Sequence, residues 1–117
     1  METQNVAQTK ELITFEDFVK ADIRICEVTA LEKVAGKDRL YKLEIDTGFE
    51  KRTVVSAIAH KLTPEQVLGK KFPFVLNLQP RPIANIESRG MIMLAEGKDG
   101  TYFVPGDENT EVGAKVI

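Results

Sequence analysis

Thr63-Pro64-Glu65 marks the one place in the body of this chain where strand-like sequence gives way to helix, and its position limits the available folds. Thr63 can cap, Pro64 stands at the first helical position where no N–H is needed, and Glu65 puts an acid in the first turn. Val67 and Leu68 supply the apolar positions and Gly69 closes the turn, so one short helix is expected. Three strand-like stretches precede it. From Asp22, Ile23 and Ile25 share a face, and beyond Cys26 and Glu27 the apolar positions resume at Val28 and Ala30 with their parity switched. Such a switch inside one strand marks a β-bulge, which bends the strand. Tyr41, Leu43 and Ile45 alternate with Leu40, Lys42 and Glu44, and Thr53 to Ala59 is rich in β-branched and small residues. The stretch from Lys33 to Lys37 and the triplet Thr47-Gly48-Phe49 supply the turns between them.

Two further strands follow the helix. Phe72, Phe74, Leu76 and Leu78 alternate with Pro73, Val75, Asn77 and Gln79, the period of a half-buried strand, and Met91, Met93 and Ala95 alternate with Ile92 and Leu94. Three meandering strands, a bent first strand, a helix and two more strands form the succession of an OB-fold. The expected fold is therefore all-β: a five-stranded barrel with a short helix between its third and fourth strands. Ahead of it, Thr14 followed by Asp17, with Phe15 and Phe18 inside, predicts a second, brief helix whose aromatic pair needs a surface to cover. That surface is either the barrel itself or a partner subunit. Residues 1–12 are polar and aperiodic, as expected of a flexible leader or linker remnant, which leaves 13–117 as the domain. Tyr102–Val104 and Ala114–Ile117, separated by Pro105-Gly106, predict a C-terminal β extension, either two short strands or a hairpin.

Catalytic and metal chemistries find little support. The 16 basic and 18 acidic residues leave a net charge of −2, which argues against a strong nonspecific hold on nucleic acid. The single cysteine, Cys26, excludes an internal disulfide and any multi-cysteine metal site. Cys26 with the one histidine, His60, lacks a third orienting group for nucleophilic catalysis. Glu44, Asp38 and Asp46 have no calcium-loop spacing, and Gly48, Gly69, Gly90 and Gly97 do not compose a phosphate loop. No apolar run is long enough to span a bilayer, and the N-terminus does not read as a secretion signal, so a cytoplasmic location is expected. A binding module without cofactor or metal fits these features.

The segment between the last two strands carries the polar groups of interest in the order Asn77, Gln79, Arg81, Asn85, Glu87, Ser88, Arg89. Pro80 and Pro82 have no N–H to donate, so this loop is expected to stand apart from the sheet without regular ladder pairing. Its end, Ser88-Arg89-Gly90-Met91, offers a hydroxyl, a guanidinium, a glycine for close backbone approach and a polarizable thioether. Together these suit a phosphate or a splayed base. The same residues also suit a tight turn into the last strand with Met91 in the core.

ITFEDFVKADIRI (13–25), VAGKDRLYKLEID (34–46), VVSAIA (54–59), PEQVLGK (64–70) and NLQPRPIANIESRGM (77–91) together resemble the tRNA-binding domain appended to bacterial methionyl-tRNA synthetases. Free-standing tRNA-binding proteins, the EMAPII-like cytokine domain and CsaA-type export chaperones, which bind unfolded peptides, belong to the same group. The resemblance implies an OB-fold, a homodimer and sequence-tolerant tRNA binding, with aminoacylation left to a catalytic domain that this chain lacks. It assigns tRNA contacts to Ser56, Asn77, Ser88, Gly90 and Met91 and to the basic positions Lys33, Lys37 and Arg39 around the first hairpin, and the loop's own cations, Arg81 and Arg89, are expected to join them. Phe15, Phe18, Tyr102 and Val104 are the expected dimer contacts. Three positions depart from the pattern: Cys26 and Asn85 where glycine is frequent, and Pro82 where lysine is usual. The loss of that lysine implies weak tRNA binding by the isolated domain.

Overall fold

The structure is a computed structural model that describes residues 10–103 and 107–117, with backbone alone for 101–103. Strands β1 (Ile23–Val34), β2 (Lys37–Asp46) and β3 (Lys51–Ser56) form an antiparallel meander in which Val28 faces Ile45, Leu31 faces Leu43 and Tyr41 faces Ser56. The expected bulge is present, but it falls between Val28 and Ala30, where Thr29 is the extra residue and its hydroxyl donates to the Glu44 carbonyl at 3.1 Å. Upstream of it, pairing from Ile23 to Glu27 runs without a break. The apolar parity misplaced the bulge because Cys26 is itself a core residue, fully buried beside Val28, while Ile25 is only half-buried. A free cysteine packs as a small hydrophobe.

Helix α1 (Phe15–Phe18) begins as expected, with the Thr14 hydroxyl accepting the Asp17 N–H at 3.0 Å. Helix α2 (Pro64–Val67) lies between β3 and β4 (Lys71–Val75), the Gln66 side chain reaching back to accept the Thr63 N–H at 2.9 Å. Gly69, at φ 78°, turns the chain out of α2 and donates to the Val28 carbonyl at 2.8 Å. Strand β3 starts two residues before the expected Thr53 and stops three before Ala59, because the chain leaves the sheet after Ser56 and drops Ile58 and Leu62 into the core. There the Tyr41 hydroxyl donates to the Leu62 carbonyl at 2.7 Å, tying the approach to α2 onto β2.

Strand β4 lies on the other edge of β1, Ile23 facing Val75 and Cys26 facing Phe72. It is not half-buried: Phe72, Pro73, Phe74 and Val75 are all buried, and Leu78, expected on the inner face, lies beyond the strand and is 48% exposed. A strand covered on both faces shows no clean alternation. Strand β7 (Met91–Ile92) pairs with β4, giving a five-stranded sheet in the order β3-β2-β1-β4-β7. The sheet closes into an OB-fold barrel where the Arg89 N–H donates to the Thr53 carbonyl at 2.9 Å and the Val55 N–H donates to the Ser88 hydroxyl at 3.0 Å. Tyr41, Leu43, Ile45, Val54, Phe72 and Phe74 fill its interior.

The proline loop does stand apart from this sheet, but it is ordered as a hairpin of β5 (Arg81–Ile83) and β6 (Ile86–Ser88), contrary to the expectation of no ladder. Ile83 and Ile86 close a two-residue turn, Ala84 at φ 53° and Asn85 at φ 65°. This is the primed turn that matches strand twist, and alternation from its hydrogen-bonded closing pair places Pro82 and Glu87 at a pair that exchanges no backbone bonds. Pro82 therefore costs the ladder nothing. Asparagine tolerates the left-handed conformation, which explains Asn85 without a glycine.

The C-terminal β extension is present as a hairpin, in which strand β9 (Gly100–Phe103) pairs back onto β8 (Leu94–Gly97). Residues 113–116 lie along β1: Gly113 donates to the Ile25 carbonyl at 2.7 Å, Ile25 to Ala114 at 2.9 Å, and Val116 to Ile23 at 2.8 Å. Gly113 crosses Gly48 so closely that a Cβ on either would sit 2.8–2.9 Å from the other segment's backbone. Val104 and the Tyr102 side chain lie outside the described residues.

Ala84 is the one hairpin-tip residue in a conformation that its side chain disfavours. Ala84→Asn should raise stability by about 0.5–1 kcal/mol in urea unfolding, and an unchanged or lowered midpoint would contradict the turn geometry.

Candidate functional site

The β5–β6 hairpin folds over the end of β3 and leaves a cleft of about 450 Å3 whose walls include Ser56, Leu78, Gln79, Arg81, Ile83 and Met91, with Ser88 and Gly90 in its lining. Five of the expected contact residues thus meet at one place: Ser56, Arg81, Ser88, Gly90 and Met91. Gly90 and Met91 have the environments that the contact reading gives them, and Ser88 does not. Ser88 is buried, and its oxygen is engaged by the Val55 N–H, so the hydroxyl is first a closing bond of the barrel. Gly90, at φ 146°, lets the backbone pass where a Cβ would lie 3.3 Å from both Val54 Cγ2 and the Val75 carbonyl. Met91 is not in the core. It is 50% exposed, with Ile92 filling the interior position instead.

The other expected contacts lie elsewhere. Arg89 follows Ser88 onto the opposite face, in a depression shared with Lys42, Lys51 and Arg52, where its Nη2 is 3.6 Å from Glu50 Oε2. The Arg52 Nε bond to Glu50 and the charges of Arg52 and Arg89 hold that carboxyl below the usual carboxylate range. Asn77 spends its side chain on structure, accepting the Asp22 N–H at 2.7 Å and donating to the Lys20 carbonyl. Lys33, Lys37 and Arg39 are exposed on the first hairpin, away from the cleft lining. Leu78 and Ile83 were not foreseen as site residues: Leu78 continues the alternation of Phe72, Phe74 and Leu76, and Pro80 two residues on was the available signal that the strand had ended.

A second depression of about 370 Å3 continues from the cleft along β7 and β8. It shares Ser56, Met91 and Ile92 with the first and adds Ala57, Ile58, Met93 and Leu94. At its rim Lys61 donates to Glu96 at 2.6 Å, and that bond holds the Glu96 carboxyl below its ordinary range. Cys26 offers no nucleophile: burial pushes its thiol up to about 12, and it lies in the core while His60 is exposed on the loop before α2. No group of metal-ligating side chains assembles among the described residues, and no described helix is long and apolar enough to cross a membrane.

Beside α1 a separate apolar surface of about 470 Å3 is formed by Phe15, Phe18, Val19, Ile23, Val116 and Ile117. Phe15 is 73% and Phe18 52% exposed, so the barrel does not cover the aromatic pair.

Residues 23–115 match the family described as "Putative tRNA binding domain". The chain belongs to this tRNA-binding domain family. The Methionine--tRNA ligase of Flavobacterium johnsoniae is 40% identical over 116 residues, a region that is 98% of this chain and 16% of the ligase. That of Porphyromonas gingivalis is 47% identical over 98 residues, 84% of this chain and 14% of the ligase. This tRNA-binding domain thus spans about a sixth of the length of the ligases it matches. Among solved structures, a MetRS related protein from Pyrococcus horikoshii superposes with a TM-score of 0.87 at 41% identity, covering 92% of this chain and 100% of that one. The CsaA chaperone protein of Picrophilus torridus does so with a TM-score of 0.81 at 27% identity, over 91% of this chain and all of that one.

Because Ser88 closes the barrel and Met91 does not, the two separate in mutation. Ser88→Ala should cost about 1–3 kcal/mol in urea unfolding by leaving the Val55 N–H unpaired. Met91→Ala should stay within about 0.5 kcal/mol of the parent protein, as surface substitutions do. Equal losses would mean that Met91 packs in the core.

Proposed function

We propose that this chain is the tRNA-binding and dimerisation module of a methionyl-tRNA synthetase, acting in the cytoplasm and itself non-catalytic. It assists tRNA capture for an aminoacylation carried out by a separate catalytic domain. The observation that carries this is the alignment of nearly the whole chain with a short part of methionine–tRNA ligases at 40% identity. The cleft supports it: Arg81 supplies a cation, Gln79 and Ser56 supply hydrogen-bonding groups, and Met91 an exposed polarizable surface. The near-neutral charge implies that tRNA binding by the single domain is weak and salt-sensitive. Two copies in a dimer would raise it through effective concentration.

The Pyrococcus horikoshii structure favours one alternative, a free-standing tRNA-binding protein, since this fold accounts for all of that chain. The likeness to a CsaA chaperone, together with the exposed Leu78 and Met91 in the cleft, favours a second, a groove for unfolded peptide.

Dimerisation is supported by the exposed aromatic pair of α1 and its neighbours Val116 and Ile117. Phe15→Ser with Phe18→Ser should convert a dimer to a monomer in sedimentation equilibrium while leaving circular dichroism unchanged, and a persisting dimer would place the interface elsewhere. For tRNA, Arg81→Ala should weaken filter retention at low salt and reduce the slope of log affinity against log salt by about 1. An unaltered slope would remove Arg81 from the phosphate contacts.

A further inference from the structure

On the face opposite the cleft, a depression of about 400 Å3 is lined by Lys42 and Glu44 of β2, Lys51 and Arg52 of β3, and Glu87 and Arg89 at the end of the β5–β6 hairpin. Glu50 reaches Arg52 and Arg89 from the β2–β3 turn, so four cations meet three carboxylates. With charge so nearly balanced, what the depression can hold depends on which cations are free. Among the described residues Lys42 and Lys51 take part in no ion pair. Arg52 is spent: its side chain is 13% exposed, its Nε bonds Glu50, and its Nη1 donates to the Leu76 carbonyl at 2.6 Å. Arg89 is held differently. Its backbone N–H is fixed to the Thr53 carbonyl at the barrel seam, while its side chain is 41% exposed and its guanidinium makes no hydrogen bond among the described residues. Its charge partner is the same Glu50 oxygen that Arg52 bonds, 3.6 Å from Nη2 and too far for a hydrogen bond. A guanidinium with open donors matches a phosphate bidentately, and the two free ammonium groups add charge of the kind that a phosphate backbone draws on.

We propose that this depression is a phosphate subsite for the backbone of a bound RNA, gripped by Arg89 with Lys42 and Lys51, and that Glu50 is its built-in competitor, a fixed carboxylate that occupies the same guanidinium in the free protein. The inference rests on the tRNA-binding role above and deepens it. Glu50 cannot swing clear when a phosphate arrives, because Arg52 holds it and is itself tied to Leu76. It therefore stands as a like charge beside the phosphate and limits the affinity.

The test measures binding of fluorescently labelled tRNA to the 117-residue chain at low salt and along a salt series. Glu50→Gln is isosteric, keeps an oxygen for the Arg52 Nε and removes the charge. It should raise affinity about fivefold, the scale of one screened like-charge pair a few ångströms apart, with circular dichroism unchanged. The gain should vanish when Glu50→Gln is combined with Arg89→Ala, because the competitor acts through Arg89. Independently, Lys42→Ala with Lys51→Ala should reduce the slope of log affinity against log salt by about 2, and Lys98→Ala, in the β8–β9 turn outside the depression, should leave it unchanged. If the parent chain binds tRNA but Glu50→Gln binds no tighter, or gains as much without Arg89, the inference falls and the tRNA-binding role stands. A slope unmoved by the lysine pair, or moved as far by Lys98→Ala, would equally overturn the subsite. If neither the parent nor Glu50→Gln binds tRNA, the role itself falls and the inference with it.

Discussion

Strand β1 must serve several partners, and the bulge at Thr29 is what permits it. Its first half pairs with β4 on one edge, its second half with β2 on the other, and the strand has to bend between them for the sheet to curl. A sheet that curls this far still has to be joined where β3 meets the far side. Here the seam is narrow: one backbone bond from Arg89 to Thr53 and one from Val55 to the Ser88 hydroxyl. A full ladder along that seam would have drawn the hairpin flat against β3. With two bonds, the β5–β6 hairpin leans away and the cleft opens beside it, Met91 at its edge.

How much of this was legible in the residues follows from how local each cause is. The caps at Thr14 and Thr63, the order of strands about α2 and the turn at Gly69 are set within a few residues, and they could be read directly. The bulge was legible in kind but not in place, since only the tertiary structure reveals Cys26 as a core residue. The two readings open for Ser88 to Met91 divide between residues: Met91 is exposed as a contact residue would be, while Ser88 is buried because closure of the barrel needs a small hydrogen-bonding group at the seam. Asn77 looked like a ligand contact, yet its side chain bonds Asp22, 55 residues away in sequence, which no local pattern announces. Pro82 was legible as an obstacle to pairing, but its tolerance depends on a register set by the turn at Ala84-Asn85.

Five of the 16 cations, Lys20, Arg24, Arg52, Lys61 and Arg89, pair with carboxylates among the described residues, and two of these five also share one aromatic ring. Arg52 lies 5.6 Å and Arg24 5.1 Å from the Phe49 ring centroid, and both also bond carboxylates. Arg52 further donates to the Leu76 carbonyl at 2.6 Å, so one guanidinium joins the β2–β3 turn to the end of β4. Cations used in this way brace the barrel, and the cleft is lined by apolar and neutral polar groups with Arg81 as its cation.

The course of residues 113–116 has a consequence for solubility. From Ile23 to Ile25, the edge of β1 away from β4 would present open N–H and C=O groups, and an open strand edge is a template onto which another chain can add. The bonds to Gly113, Ala114 and Val116 cap that edge, held in place by the backbone contact of Gly48 with Gly113. Loss of this segment would uncover an adhesive edge beside the apolar surface of α1. A shortened chain would then tend toward open-ended strand addition, a mode of association with no fixed stoichiometry.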